Sequence, residues 1–340
     1  MAADADASVG KGEELMKPFR FGIMGAGGIA GRFSGVVSRM EDVTVAAVAS
    51  KSREKAERFV SSFCPDAVPF DSYERMLENE KPDAVYIATT PDSHFALTKL
   101  CLTHGVPVLC EKAMFVTGKE AAEAFALSEE KGVFAMEALW SRFLPANKKA
   151  KEWLDMGKIG KPVHIEIRIG FPAPSDPALR YFSPTLCGGA TTDITVYAYE
   201  LARFYIEKPI KTFSVTAVRS ESGVDATDLV SIGYGDMTAS LATSFEALYD
   251  NAAVIYGTKG KIVVPNPHCA SEAILTSADG NEHFRDEGPD GFTYEIEETV
   301  HCVRAGLTES PVVPHALTKD CADLFDRICR AADVERPTRE

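Results

Sequence analysis

The sequence predicts an α/β chain in two parts: a doubly wound parallel sheet over residues 18–140, then an α+β region over 141–332 built on a mostly antiparallel sheet. Three observations carry this. A short alternating strand, Phe19-Phe21-Ile23, breaks into Gly25-Ala26-Gly27 and then a helix. From there to Glu137, apolar runs alternate with segments of helical length, an order that specifies a parallel sheet covered on both faces. Beyond Val163 the strands alternate apolar and polar residues and are joined by tight-turn signals, as in a sheet with one solvated face.

The stretch Phe21 to Phe33 organises the first part. Gly25, Gly27 and Ala30 fill the slots of G-x-G-x-x-G/A, which need a tight turn, close approach to a pyrophosphate and close helix-on-strand packing. The N–H groups and dipole of the next helix favour phosphate, so Gly25, Gly27, Gly28, Ile29 and Ala30 are candidate nucleotide contacts. Residues 28–40 read as that helix and Val43–Ala49 as a strand buried on both faces.

That strand ends in Ser50-Lys51-Ser52-Arg53. NAD sites usually carry an acidic residue about 20 positions past the glycines to hold the ribose 2′-OH. Hydroxyls and cations suit a 2′-phosphate instead, which favours NADP and leaves NAD possible. A solvated helix start, with Ser50 or Ser52 as N-cap, explains the same residues.

Further helices are expected over 51–63, 72–78, 92–104 and 119–131, and strands over 67–70, 83–89, 106–110 and 133–137. Ligands of such sheets bind beyond the carboxyl ends of the strands, where Thr89-Thr90-Pro91, Glu111-Lys112 and Glu137 lie. Lys112 follows a buried run directly and is placed to polarise a substrate oxygen; an exposed strand-end ion pair is the plainer reading.

Pro91-Asp-Ser-His94, Val108-Leu-Cys-Glu-Lys112 and Met136-Glu-Ala-Leu-Trp140-Ser-Arg142-Phe143 resemble the glucose–fructose oxidoreductase/inositol dehydrogenase (Gfo/Idh/MocA) family, nearest its dihydrodiol and D-xylose dehydrogenase branch. The resemblance runs from about Phe19 to near residue 330. It implies an N-terminal Rossmann domain and a C-terminal α+β domain whose open, largely antiparallel sheet often serves as a dimer face. It adds Pro91, His94, Trp140 and Arg142 to the cofactor candidates, with interdomain packing an equal role for the last two. Ala113 stands where the family's E-K-P motif has proline, which leaves the lysine's orientation less constrained by sequence.

In the second part, 145–157 reads as a helix and Val163–Ile169 as a strand with one wet face, which sets His164 aside from catalysis. The Pro-, Asp- and Ser-rich 171–186 reads as a long loop, where substrate contacts commonly sit. Helical spacing puts Asp193 and Tyr197 on one face, four residues apart, behind Gly188-Gly189. The row resembles the family's catalytic helix, with Thr191, Thr192 and Thr195 replacing Leu, Leu and Gly. By that resemblance Lys112, Asp193 and Tyr197 are the catalytic group, with Tyr197 moving the proton and Lys112 lowering its pKa. Strands follow over 211–219, 229–234, 237–245, 252–256, 262–264 and 273–276, then a polar surface loop over 278–291 and helices over 294–305 and 317–332. His268-Cys269 has no further ligand at metal spacing, so no metal is expected.

Composition sets outer bounds. The 340 residues, 45% apolar and 25% charged, suffice for two cores. A net charge of −14 argues against nucleic acid or an anionic membrane as partner. No apolar run approaches the ~20 residues of a membrane span. Residues 1–17 lack a secretory apolar core and read as a disordered leader, and eight cysteines without C-x-x-C pairing read as reduced thiols of a cytoplasmic protein. The expected activity is an NADP-dependent oxidoreductase of a secondary alcohol or ketone on a sugar, polyol or cyclic diol. A redox-neutral glycoside-cleaving enzyme with bound NAD and a non-catalytic NADP(H) sensor are the rivals.

Overall fold

The computed structural model describes residues 17–176 and 179–334, so the leader reading, Lys17 apart, lies outside the described residues. Strands β1 (Phe19–Met24), β2 (Val43–Ala49), β3 (Val68–Phe70), β4 (Ala84–Ile87), β5 (Val108–Cys110) and β6 (Ala135–Glu137) form one sheet. Its order is β3-β2-β1-β4-β5-β6 and every pairing is parallel. Helices α1 (Gly28–Val37), α2 (Arg53–Phe63), α3 (Tyr73–Glu80), α4 (Pro91–Thr103) and α5 (Gly118–Lys131) link successive strands. The order reverses between β1 and β4, and a crevice opens beyond their carboxyl ends.

Local chemistry explains the helix starts. Ser52, Ser72 and Thr117 accept from the backbone N–H of Lys55, Arg75 and Glu120, caps worth about 1 kcal/mol each. Aromatic packing then fixes α1 on the sheet: Phe33 meets Phe21 edge-on at 5.3 Å and stacks on Tyr86 at 4.0 Å. Truncating Phe33 to alanine would cost roughly 3–5 kcal/mol. Strand β2 departs from its expected burial on both faces, since Thr44 is exposed. The short β3 pairs with Ala47–Ala49 alone and leaves the first half of β2 uncovered.

The second sheet combines β7 (Pro162–Gly170), β8 (Thr212–Arg219), β9 (Asp225–Gly233), β10 (Thr238–Ser244), β11 (Ala252–Gly257), β12 (Gly260–Pro265), β13 (Glu272–Ser277) and β14 (Gly280–Arg285). Their order is β14-β13-β12-β11-β7-β10-β9-β8, antiparallel except for β7 with β10. Ile165, Ile167 and Ile169 face the core, while His164 lies on the opposite face, bonded to Thr238 and Ser240. Strand β14 corrects the loop expected over 278–291. It is an edge strand with nearly every residue exposed, so no buried face writes an alternation into its sequence.

A helix α6 (Pro145–Asp155) precedes this sheet, and α7 (Val196–Tyr205) lies against it. Residues 191–195 form a π-helical turn ahead of α7 in place of the uniform α-helix expected. Beneath that turn Thr191 donates from its N–H and hydroxyl to Asp225 (2.6 and 2.8 Å), and Thr195 donates to Asp228 at 2.7 Å. Burial and the adjacent Asp225 push the Asp228 carboxyl well above the carboxylate range. The threonines that stand in place of family Leu and Gly thus anchor the turn to two buried acids.

Helices α8 (Phe292–Arg304) and α9 (His315–Ala332) close the chain. From α9, His315 bonds the Ala135 carbonyl at 3.0 Å, Thr318 donates to Glu137 at 2.8 Å, and Arg327 lies 4.6 Å from the Phe213 ring on β8. Helix α9 therefore touches both sheets.

Candidate active site

A cleft of about 840 Å³ runs along the carboxyl ends of β1, β2, β4 and β5 and under residues 180–197. At its centre Gly25 has φ +105°, and a Cβ there would stand 2.7 Å from the Ala88 carbonyl oxygen, so this turn requires glycine. Cβ atoms on Gly27 or Gly28 would meet no protein atom within 4 Å and would project into the cleft. Helix α1 begins at Gly28 with no side-chain cap and no acid in its first turn, which leaves its N–H groups free for phosphate. Ser50, Lys51, Ser52 and Lys55 line one end. These donors, glycines and hydroxyls fit a dinucleotide.

Lys112, Asp193 and Tyr197 meet at the other end. The Lys112 ammonium donates to the Asp193 backbone carbonyl at 2.5 Å and to its carboxylate, and lies 4.8 Å from the Tyr197 ring centre. Arg180 grips both oxygens of the same carboxylate, at 3.1 and 3.3 Å. Burial would raise the Asp193 carboxyl, but Lys112 and Arg180 outweigh it and hold it below the usual range. Gly188 allows the Arg180 loop to settle here, because a Cβ would stand 2.5 Å from the Arg180 carbonyl oxygen.

Tyr197 accepts a hydrogen bond from the Trp140 indole N–H at 3.0 Å. Burial, then Glu111, Glu295 and Asp193, push its phenol well above the ordinary tyrosine range. This corrects the expectation that Lys112 lowers it. Burial dominates, so the resting form is the neutral phenol. Glu111 accepts from the Tyr86 hydroxyl and is raised by burial. The His268 ring stands 5.9 Å from the Tyr197 ring, and burial followed by the Lys112 charge lowers it to about 4, leaving a neutral imidazole.

Of the expected cofactor residues, Gly25, Gly27, Gly28, Ile29, Ser50, Lys51, Ser52, Thr89, Thr90, Pro91, Glu111, Lys112 and Trp140 line the cleft. Four do not. Ala30 is buried on the inner face of α1, as its packing slot requires. Arg53 turns along α2 to pair with Glu57 at 2.7 Å, and Lys55 lines the cleft instead. His94 is fully buried and bridges the carbonyls of Ala113 (2.8 Å) and Thr89 (3.1 Å), bracing the wall from behind. Arg142 contacts Glu200, whose carboxylate lies at 3.4 Å, on the side away from the cleft.

Arg180 and Glu295 escaped the sequence reading. Arg180 is one charge in a polar loop, with no local mark of its partner. Glu295 did leave a signal: it occupies a core position of α8 between buried Phe292 and Ile296.

Residues 19–139 match the profile described as an oxidoreductase family with an NAD-binding Rossmann fold, and residues 147–263 match the Gfo/Idh/MocA C-terminal domain. Trans-1,2-dihydrobenzene-1,2-diol dehydrogenases from Mus musculus and Homo sapiens are 32% and 31% identical to this chain, each alignment covering 94% of it and 98% of the relative. Among solved structures, a 3-ketoreductase from Actinomadura kijaniata with NADP and TDP-benzene superposes with a TM-score of 0.84 at 24% identity. An aldose-aldose oxidoreductase from Caulobacter crescentus gives 0.84 at 20%. Both cover 93% of this chain and 98% of their own, and at these identities they share its fold.

Proposed function

We propose, for a chain that belongs to the Gfo/Idh/MocA family of oxidoreductases, an NADP-dependent activity that interconverts a secondary alcohol and a ketone or lactone on a sugar, polyol or cyclic diol. One observation carries the reading: Lys112, Asp193 and Tyr197 converge on one end of a cleft whose middle is the glycine turn.

A nicotinamide held in the cleft would supply or take up the hydride. The Tyr197 hydroxyl, held by Trp140, gives the proton to the carbonyl oxygen in reduction and recovers it in oxidation. Burial keeps that phenol protonated at rest. Lys112, tethered to Asp193, stabilises the charge that grows on the same oxygen. Arg180 holds the far carboxylate oxygen and keeps the aspartate aimed at the lysine. The preference for the 2′-phosphate rests on Lys51, Ser52 and Lys55 at the β2 end of the cleft.

The relatives named for a dihydrodiol support the substrate class, as do the aromatic walls of Trp140, Tyr181 and Phe292. A homodimer would join through the sheet face that exposes Val218, Leu229 and Tyr256. The eight free cysteines suit the reducing cytoplasm. Near-ultraviolet absorbance of reduced nicotinamide, followed over a panel of diols and sugars with NADP(H) and NAD(H), tests the proposal. Turnover with NADP(H) is expected. Bound nucleotide that no substrate oxidises or reduces would overturn it.

A further inference from the structure

Glu295 is 1% exposed and lines the cleft, yet neither of its carboxyl oxygens has a hydrogen-bond partner among the described residues. It shares the inward face of α8 with Phe292, Ile296 and Thr299. An unpaired buried polar group is costly, so a position that keeps one needs a partner from outside the chain.

The groups that act on it come from five directions: Glu111 after β5, Tyr86 on β4, Tyr197 on α7, Arg32 on α1 and Asp290 ahead of α8. Arg32 is the cation among them, and it is committed elsewhere. Its guanidinium bonds Asp290 at 3.1 and 3.2 Å and stacks on Trp140 and Phe292 at 4.7 and 4.9 Å. Burial, followed by Glu111, pushes the Glu295 carboxyl well above the carboxylate range. It therefore stands as a neutral acid with one O–H donor and one C=O acceptor in a plane. A primary carboxamide presents the complementary pair, an acceptor oxygen and an N–H donor at matching separation. A carboxylate presents acceptors alone.

Glu295 lines the same cleft end as Lys112, Trp140 and Tyr197, where the redox-active ring must lie if the dinucleotide reading of the cleft holds. On that reading, we infer that the Glu295 carboxyl receives the carboxamide arm of the nicotinamide through a two-bond pair. The pair fixes which face of the ring turns toward the substrate.

The test is equilibrium binding to the full chain, read by intrinsic fluorescence, with NADPH and with adenosine 2′,5′-bisphosphate, which lacks the nicotinamide. Glu295→Ala should weaken NADPH at least about tenfold and leave the bisphosphate unchanged. Glu295→Gln, which keeps a donor and an acceptor, should hold NADPH within about threefold of wild type. Wild type should also reject the nicotinic acid analogue of NADP, whose carboxylate replaces the carboxamide. Unchanged NADPH affinity in Glu295→Ala, or equal loss of both ligands, overturns this role and leaves the dinucleotide site standing. Failure of the wild-type chain to bind any dinucleotide overturns the site and this role together.

Discussion

Lys112 and Asp193 stand 81 positions apart in the chain and close an ion pair in which the side chains are 12% and 13% exposed. One follows the end of β5 and the other sits in the π-helical turn before α7. The pair therefore joins the nucleotide-binding sheet to the element that carries Tyr197.

Removing the charge tests the lysine. Lys112→Met should lower kcat by about 10²–10³-fold, because stabilisation of the developing oxyanion is lost. Asp193 keeps Arg180 as a partner, so the fold should survive and NADPH affinity should change little. Steady-state kinetics beside a binding titration check this, and a variant with near-native kcat would sink the assignment.

Tyr197→Phe should slow turnover by about 10²–10⁴-fold with the nucleotide still bound. The phenol sits well above its ordinary value through burial and three carboxyl groups, so its proton is retained through neutral pH. Reduction by the wild type should accordingly show no loss from tyrosine ionisation below the usual tyrosine range near ~10. A neutral-pH limb in kcat that disappears in Tyr197→Phe would contradict this placement of the proton.

Cofactor choice is separable from chemistry. Lys55→Ala and Lys51→Ala should each raise the Kd for NADPH by about tenfold and leave that for NADH nearly unchanged, since a charge-assisted phosphate contact is worth roughly 1.5–3 kcal/mol. Arg53→Ala should have a smaller effect, because Arg53 pairs with Glu57 outside the cleft. Equal losses for both nucleotides would contradict the 2′-phosphate assignment.

Stability should fall with rising pH through several buried acids, and the share of Glu137 can be separated. Glu137 is raised from 4.5 to about 7, mainly by burial, while the Met114 N–H and Thr318 hydroxyl oppose the shift. Between these values the folded chain keeps a proton that the unfolded chain releases, so unfolding becomes easier as pH rises from 4.5 to 7. The excursion contributed by Glu137 is about 3 kcal/mol. Denaturant titrations should show this slope in the wild type and a flatter one in Glu137→Gln. Identical slopes would place the titration elsewhere.

The sequence by itself determined what local periodicity can encode. Alternation between strands and helices specifies the parallel sheet, and the glycine spacing marks the nucleotide turn. Four-residue spacing keeps Asp193 and Tyr197 near one another even through a π turn, because both chain geometries advance by about one turn over that interval.

Tertiary structure decided the rest. Which of two neighbouring cations, Arg53 or Lys55, reaches the cleft depends on the rotation of α2, and Glu57 draws Arg53 aside. Strand β14 exists because β13 offers it an edge, a long-range pairing that exposed side chains do not advertise. Arg180 enters the site through loop closure over Gly188. The protonation of Tyr197 and Glu295 was set first by their own burial and then by the carboxyl groups beside them. Sequence encodes what each residue carries and where short-range geometry points it, whereas burial and its electrostatics belong to neighbours that are remote until the chain folds.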